Sequence, residues 1–149
     1  QVGCEFQPYV LGVMANQKLR IKNSDPILHN VHARPLASGN KEFNFPELTG
    51  KSMTLSFPSQ EIPVRISCDV HPWMFAYVAV LEHPFFAVTD QDGNFAITNA
   101  PSGDYVLEAY HIKTHGNHTG ETQKILVTEG QTTSANFTIE LPAQVSSNR

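Results

Sequence analysis

Three side chains able to grip a soft metal fall within seven residues in Cys68-Asp69-Val70-His71-Pro72-Trp73-Met74. A thiolate, an imidazole and a thioether spaced C-x2-H-x2-M favour copper. A trigonal His2Cys set with a distant axial Met is the geometry of electron-transfer copper sites. The spacing also has a mechanical use. Cys68 ends a strand-like run at 63–67, and a short loop returns His71 and Met74 toward one point before the next strand starts at Phe75. A second histidine must then come from elsewhere. The best placed is His29, in Ser24-Asp25-Pro26-Ile27-Leu28-His29-Asn30-Val31-His32, after a strand-like run and a Pro-containing turn that would put it at a sheet rim. His32 is expected to face the same side of that strand, as a substitute ligand or a supporting neighbour.

The elements that must position these residues read as strands. Helical periodicity is scarce, while short β-branched and aromatic runs recur between Pro, Gly, Asn and Asp. Strands are expected near 9–14, 18–23, 29–34, 52–57, 63–67 and 75–82, with a second series near 86–89, 94–98, 104–111, 123–128 and 133–140. Strands at this spacing imply an all-β chain of sandwiches or barrels rather than a parallel α/β sheet. Asp92-Gly93 lies between two such runs as a hairpin signal, and Pro101-Ser102-Gly103 as a turn. Between Pro35 and Lys51 the sequence is polar and broken, which reads as a long surface connection. A boundary at His83-Pro84 divides the chain into 1–83 and 84–141, with an unpatterned, flexible tail at 142–149.

Bulk properties narrow the function. The chain has 149 residues, 40% of them hydrophobic, enough for a packed core. Its net charge is −4 and its Lys and Arg are unclustered, which disfavours nucleic-acid binding. Its apolar runs fall far short of the roughly 20 residues that a membrane span needs. It opens on QVGCEF, neither a basic nor an apolar leader, and so reads as processed or truncated. There is no nucleophile elbow, HExxH motif or phosphate-cradling glycine loop, so the expectation is of no enzyme.

The motif HNVH at 29–32, paired downstream with CDVHPWM at 68–74, resembles the amicyanin and plastocyanin branch of the blue copper proteins, the cupredoxins. Phe6-Gln7-Pro8, Val10 to Val13 and LRIKNSD resemble the strand pair that precedes the first copper histidine in that family. The likeness runs from about Cys4 to Leu81. It implies a Greek-key cupredoxin-like β-sandwich with one copper ion held by His29, Cys68, His71 and Met74. It further implies that Asn30 fastens the two ligand loops together, and that His71 reaches the surface among Pro72, Trp73 and Phe75, where a redox protein partner would dock. Periplasmic or cell-surface placement is part of the same implication. From Phe85 to Glu140, the segments TDQDGNFAI and PSGDYVL resemble the carboxypeptidase regulatory-like (transthyretin-like) module, implying a small C-terminal β-sandwich of structural character.

Cys4 departs from the family pattern. It is expected on the strand face of Phe6, near the metal, where it could bridge to Cys68 or join the ligands; a bridge would remove the thiolate. That feature carries the rival expectation of a structural cell-surface protein that self-assembles into homo-oligomers through edge strands, with copper incidental. His111, His115 and His118 lie close enough for a second metal site but read more simply as solvated loop residues. His83 reads as a turn residue. Asp90, Asp92 and Asp104 read as turn carboxylates without the spacing of a calcium loop. Asn117-His118-Thr119 and Asn136-Phe137-Thr138 fit the glycosylation pattern, a triplet common by chance.

Overall fold

Alternating burial along short runs builds the molecule. In the computed structural model, which describes residues 1–114 and 120–141, every regular element is a strand. They are β1 (Val10–Met14), β2 (Leu19–Lys22), β3 (His29–Arg34), β4 (Phe43–Glu47), β5 (Ser52–Leu55), β6 (Glu61–Ser67), β7 (Phe75–Leu81), β8 (Gly103–Ala109) and β9 (Glu121–Val127). The chain divides into two compact units, Gln1–Ile97 and Thr98–Arg149.

The first unit is a two-sheet β-sandwich. Its larger sheet has the order β1-β7-β6-β3-β4, and its smaller one pairs β2 with β5. In β7, Ala76, Val78 and Val80 are buried while their neighbours are half-exposed, because successive side chains leave a strand on opposite faces. Val13, Val31, Ala33, Val64 and Ile66 join them from the large sheet, with Ile21 from the small one; Phe57 plugs the core beyond β5. Fully burying a side chain such as Phe57 stabilises by about 1.5–3 kcal/mol. β1 runs parallel to β7, with Val10 opposite Tyr77. Gly12 lies on β1 because any Cβ there would overlap the Phe86 ring.

β4 corrects the expected surface connection between Pro35 and Lys51. It pairs antiparallel with β3, Val31 opposite Phe45 and His29 opposite Glu47. The hydropathy pattern hides it: Phe45 is exposed while Glu47 is buried, and Pro46 stands in the run. Pro is tolerated in a sheet at its edge, and β4 is an edge of the larger sheet.

In the second unit, β8 and β9 form an antiparallel hairpin running from Gly103 opposite Val127 to Ala109 opposite Glu121. Tyr105 donates its hydroxyl to the Pro101 carbonyl at 2.8 Å, fastening the turn that enters β8. The runs at 86–89, 94–98 and 133–140 have strand composition but are not strands in the structure. Composition supplies a preference, and a ladder needs a partner. The Asp92-Gly93 turn does form: Gly93 has φ +84°, and Asp90 Oδ1 accepts from the amides of Asp92 at 3.0 Å and Asn94 at 2.8 Å. His115, His118, the 117–119 triplet and the tail at 142–149 lie outside the described residues.

Candidate metal centre

Two loops at one end of the larger sheet build the site. The first, between β2 and β3, is organised by Asn23, whose side chain is fully buried. Its Nδ2 donates to the Ile27 and Glu47 carbonyls, both at 2.8 Å, and its Oδ1 accepts from the Asp25 amide at 2.9 Å. These bonds satisfy a buried amide that would otherwise destabilise by roughly 1–3 kcal/mol. They also close the turn that delivers His29 to the start of β3. The second loop, between β6 and β7, is tied at its ends. The Cys68 amide donates to the Met74 carbonyl at 2.9 Å, and the Met74 amide to the His71 carbonyl at 2.8 Å.

Asn30 joins the two loops. Its Oδ1 accepts from the Asp69 amide at 2.6 Å, and its Nδ2 donates to Asn44 Oδ1 at 2.7 Å and Asp69 Oδ2 at 3.2 Å. This is the cross-loop fastening expected of it.

The structure brings His29, Cys68 and His71 together, with one donor atom from each lying within 4.8 Å of the others. The two Nδ1 atoms are 3.0 Å apart, and Cys68 Sγ lies 3.7 Å from His71 Nδ1. An ion in trigonal coordination, with bonds of ~2.0 Å to nitrogen and ~2.3 Å to sulfur, needs N···N of ~3.5 Å and N···S of ~3.7 Å. The Cys68–His71 edge of the triangle therefore already has the right length, the nitrogen edge needs only a small opening, and the His29–Cys68 edge lies within 4.8 Å. The donor set of thiolate and paired imidazoles fits copper. Met74 closes the same loop with its side chain buried. His29 and Cys68 are buried and His71 is half-exposed, its ring meeting the Trp73 ring edge-on at 5.3 Å.

Asp25 was not singled out by its sequence context, although it stands four residues before His29 in an Asn-Ser-Asp-Pro turn. Its Oδ2 lies 2.8 Å from His29 Nε2. A carboxylate there accepts the Nε2 proton and leaves the Nδ1 lone pair facing Cys68 and His71, the way metal-binding histidines are commonly oriented. Amides hold the carboxylate in turn, Gly3 at 2.7 Å and Cys4 at 2.9 Å. The Cys4 amide bond, then the His29 bond, then the Gly3 amide bond draw the Asp25 pKa down to about 2. Burial pushes Glu47, opposite His29 in register, the other way.

His32 does not share the side of His29. Three positions separate them, so the pleat turns them to opposite faces. His32 is bound outside the site, Nδ1 to Asp69 at 2.8 Å and Nε2 to Glu42 at 2.7 Å. Arg34 completes this outer network, donating to Asp69 at 3.1 Å and Ser67 at 2.6 Å. Asp69 is held at about 2, chiefly by its bond to His32. Cys4 and Cys68 are both free thiols. Cys4 occupies a turn with φ +57° rather than a strand. His83 lies in a bend, stacked on Phe85.

No known family's sequence pattern matches this chain, and no curated protein matches it in sequence. Solved structures do resemble it. A novel purple cupredoxin from Nitrosopumilus maritimus is 23% identical, with a TM-score of 0.44 over 54% of this chain and 85% of that one. An oxidized mutant of amicyanin is 19% identical, with a TM-score of 0.47 over 54% of this chain and 76% of that one.

Proposed function

We propose that the protein is a mononuclear type 1 copper protein that passes single electrons between redox partners. His29, Cys68, His71 and Met74 are the residues that would hold the ion. The observation that carries this reading is the convergence of donor atoms from His29, Cys68 and His71 within 4.8 Å of one another, with the Cys68–His71 spacing already that of a trigonal ion.

Bound copper supplies a one-electron couple at this point. The protein's own residues keep the ligands in place through both redox states. Asp25 fixes the His29 tautomer, Asn30 locks one ligand loop to the other, and the two backbone bonds inside the 68–74 loop fix the Cys68–His71 spacing. A cage held on both sides moves little when its charge changes, which is what fast electron transfer requires. His71 would be the exit. It is the half-exposed ligand, beside a Trp73 that is 65% exposed and a Val70 that is 52% exposed. Such an apolar rim suits docking of a redox protein, since exposed aromatic anchors dominate interface energetics.

In this reading the first compact unit, Gln1–Ile97, is the copper domain, wider than the expected 1–83, and the second, built on the β8–β9 hairpin, is an accessory module. The protein is a carrier rather than an enzyme, and works in the periplasm or at the cell surface, where a copper thiolate site would meet its partners.

The test is an absorption spectrum of reduced, metal-free protein during titration with Cu(II). An intense thiolate-to-copper band in the visible, saturating at one equivalent, is expected. A colourless titration with Cys68 still a free thiol would reject the assignment and turn attention to self-assembly through sheet edges.

A further inference from the structure

The His29 ring has a second cluster of donors behind it. Cys4 Sγ, a carboxylate oxygen of Asp25 and a ring nitrogen of His29 also lie within 4.8 Å of one another. We propose that Cys4, Asp25 and His29 form a second metal site, for a borderline divalent cation of the zinc type, with the His29 imidazole shared between it and the copper site. The sharing rests on the copper reading; the three donors of the second site do not.

The chemistry follows from which atoms are already committed. His29 Nδ1 faces Cys68 and His71, so Nε2 is the nitrogen that faces Asp25. A cation entering here takes the place of the Nε2 proton between ring and carboxylate. The Cys4 thiol loses its proton as well, and both protons leave to solvent, as metal binding to such ligands requires. Asp25 enters already as a carboxylate, and the amides of Gly3 and Cys4 hold it in position without occupying all of its lone pairs. Thiolate, imidazole and carboxylate are the three donor types of zinc sites, and three protein ligands leave the fourth position to water. Cys4 is the only half-exposed member of the set, so it marks the entry side, while the buried His29 marks the interior. Two ions on opposite nitrogens of one ring would sit about 6 Å apart, given metal–nitrogen bonds of ~2.0 Å on either side. The charge of one would then be felt at the other.

Cobalt(II), whose thiolate complexes absorb strongly, is the probe. The reduced full-length chain is loaded with one equivalent of copper and then titrated with cobalt. A new thiolate-to-cobalt band that saturates at one further equivalent is expected, together with a shift of the copper band as the ring becomes bridging. In Cys4→Ser, a one-atom change in a half-exposed turn and so expected to fold, the copper band should persist and the cobalt band should vanish. In Cys68→Ser, the cobalt band should persist. An unchanged cobalt titration in Cys4→Ser overturns the proposal, as does the lack of any cobalt–thiolate band in copper-loaded wild type. If no copper band forms at all, the copper reading fails instead. Cobalt uptake by Cys68→Ser that adding Cys4→Ser abolishes would still uphold the second site, and a cobalt band that is missing from Cys68→Ser or unchanged in the double variant would overturn it.

Discussion

The two faces of β3 carry histidines three residues apart in opposite surroundings. On the inner face His29, Val31 and Ala33 are all completely buried, and the one polar side chain among them has a single carboxylate behind it. On the outer face Asn30, His32 and Arg34 share Asp69, Glu42, Asn44 and Ser67 in a network where most groups have more than one partner. The difference teaches where function has to be singular. Inside, the His29 ring spends one nitrogen on Asp25 and turns the other to His71, with no water-facing side to take up the loss of either. Outside, water and neighbours substitute for one another.

Breaking the inner arrangement should have the largest effects. Cys68→Ser removes the only sulfur of the His29–Cys68–His71 triangle and should abolish the visible copper band entirely, as read by Cu(II) titration. Asp25→Ala frees the His29 ring to choose its tautomer and should weaken copper binding by about 10–100-fold in a chelator competition, the range found for partners that orient a metal ligand. Asn30→Ala acts between the faces, since its amide is nearly buried and bridges both loops. It should destabilise the protein by about 1–3 kcal/mol, measured as a lower urea midpoint.

Acid sharpens the comparison because both faces hold a carboxylate with a pKa near 2, against an ordinary 3.8. A depressed folded pKa means the folded form prefers the ionised group. Its stabilisation is complete above the unfolded value of 3.8 and drains away as the pH falls through 2. Asp25→Asn and Asp69→Asn should each flatten that decline in acid-unfolding curves, but only the first should alter the copper spectrum at neutral pH. The smallest effect belongs to Arg34→Ala. Its ion pair with Asp69 is exposed on both sides, so thermal unfolding should report a change within about 1 kcal/mol and an unaltered metal site.

Much of the inner face was legible in the sequence. The strand expected at 29–34 matches β3 to the residue, and the C-x2-H-x2-M spacing placed Cys68, His71 and Met74 on one loop. What escaped had physical reasons. β4 reverses the usual pattern, hiding Glu47 and showing Phe45, so polarity pointed to a loop. Asn23 and Asp25 look like any turn residues, because their role depends on backbone groups of Gly3, Cys4, Ile27 and Glu47 that only the fold brings near. His32 was misplaced by counting the strand period one residue short. In the second unit, 133–140 alternates as a strand should, yet alternation says nothing about whether another strand lies alongside to pair with it.

The parallel pairing of β1 with β7 sets an order of events as the chain emerges from the ribosome. Val10 finds its register only against Tyr77, and the donors of the metal triangle lie as far apart as His29 and His71. Closing such long loops makes sandwiches of this kind slow to fold, on the scale of milliseconds to seconds. A nascent chain that stops short of Leu81 has a thiol at Cys68 but neither a sheet to hold it nor a cage to shield it. The first unit must therefore be synthesised almost whole before the donors of His29, Cys68 and His71 can be brought together.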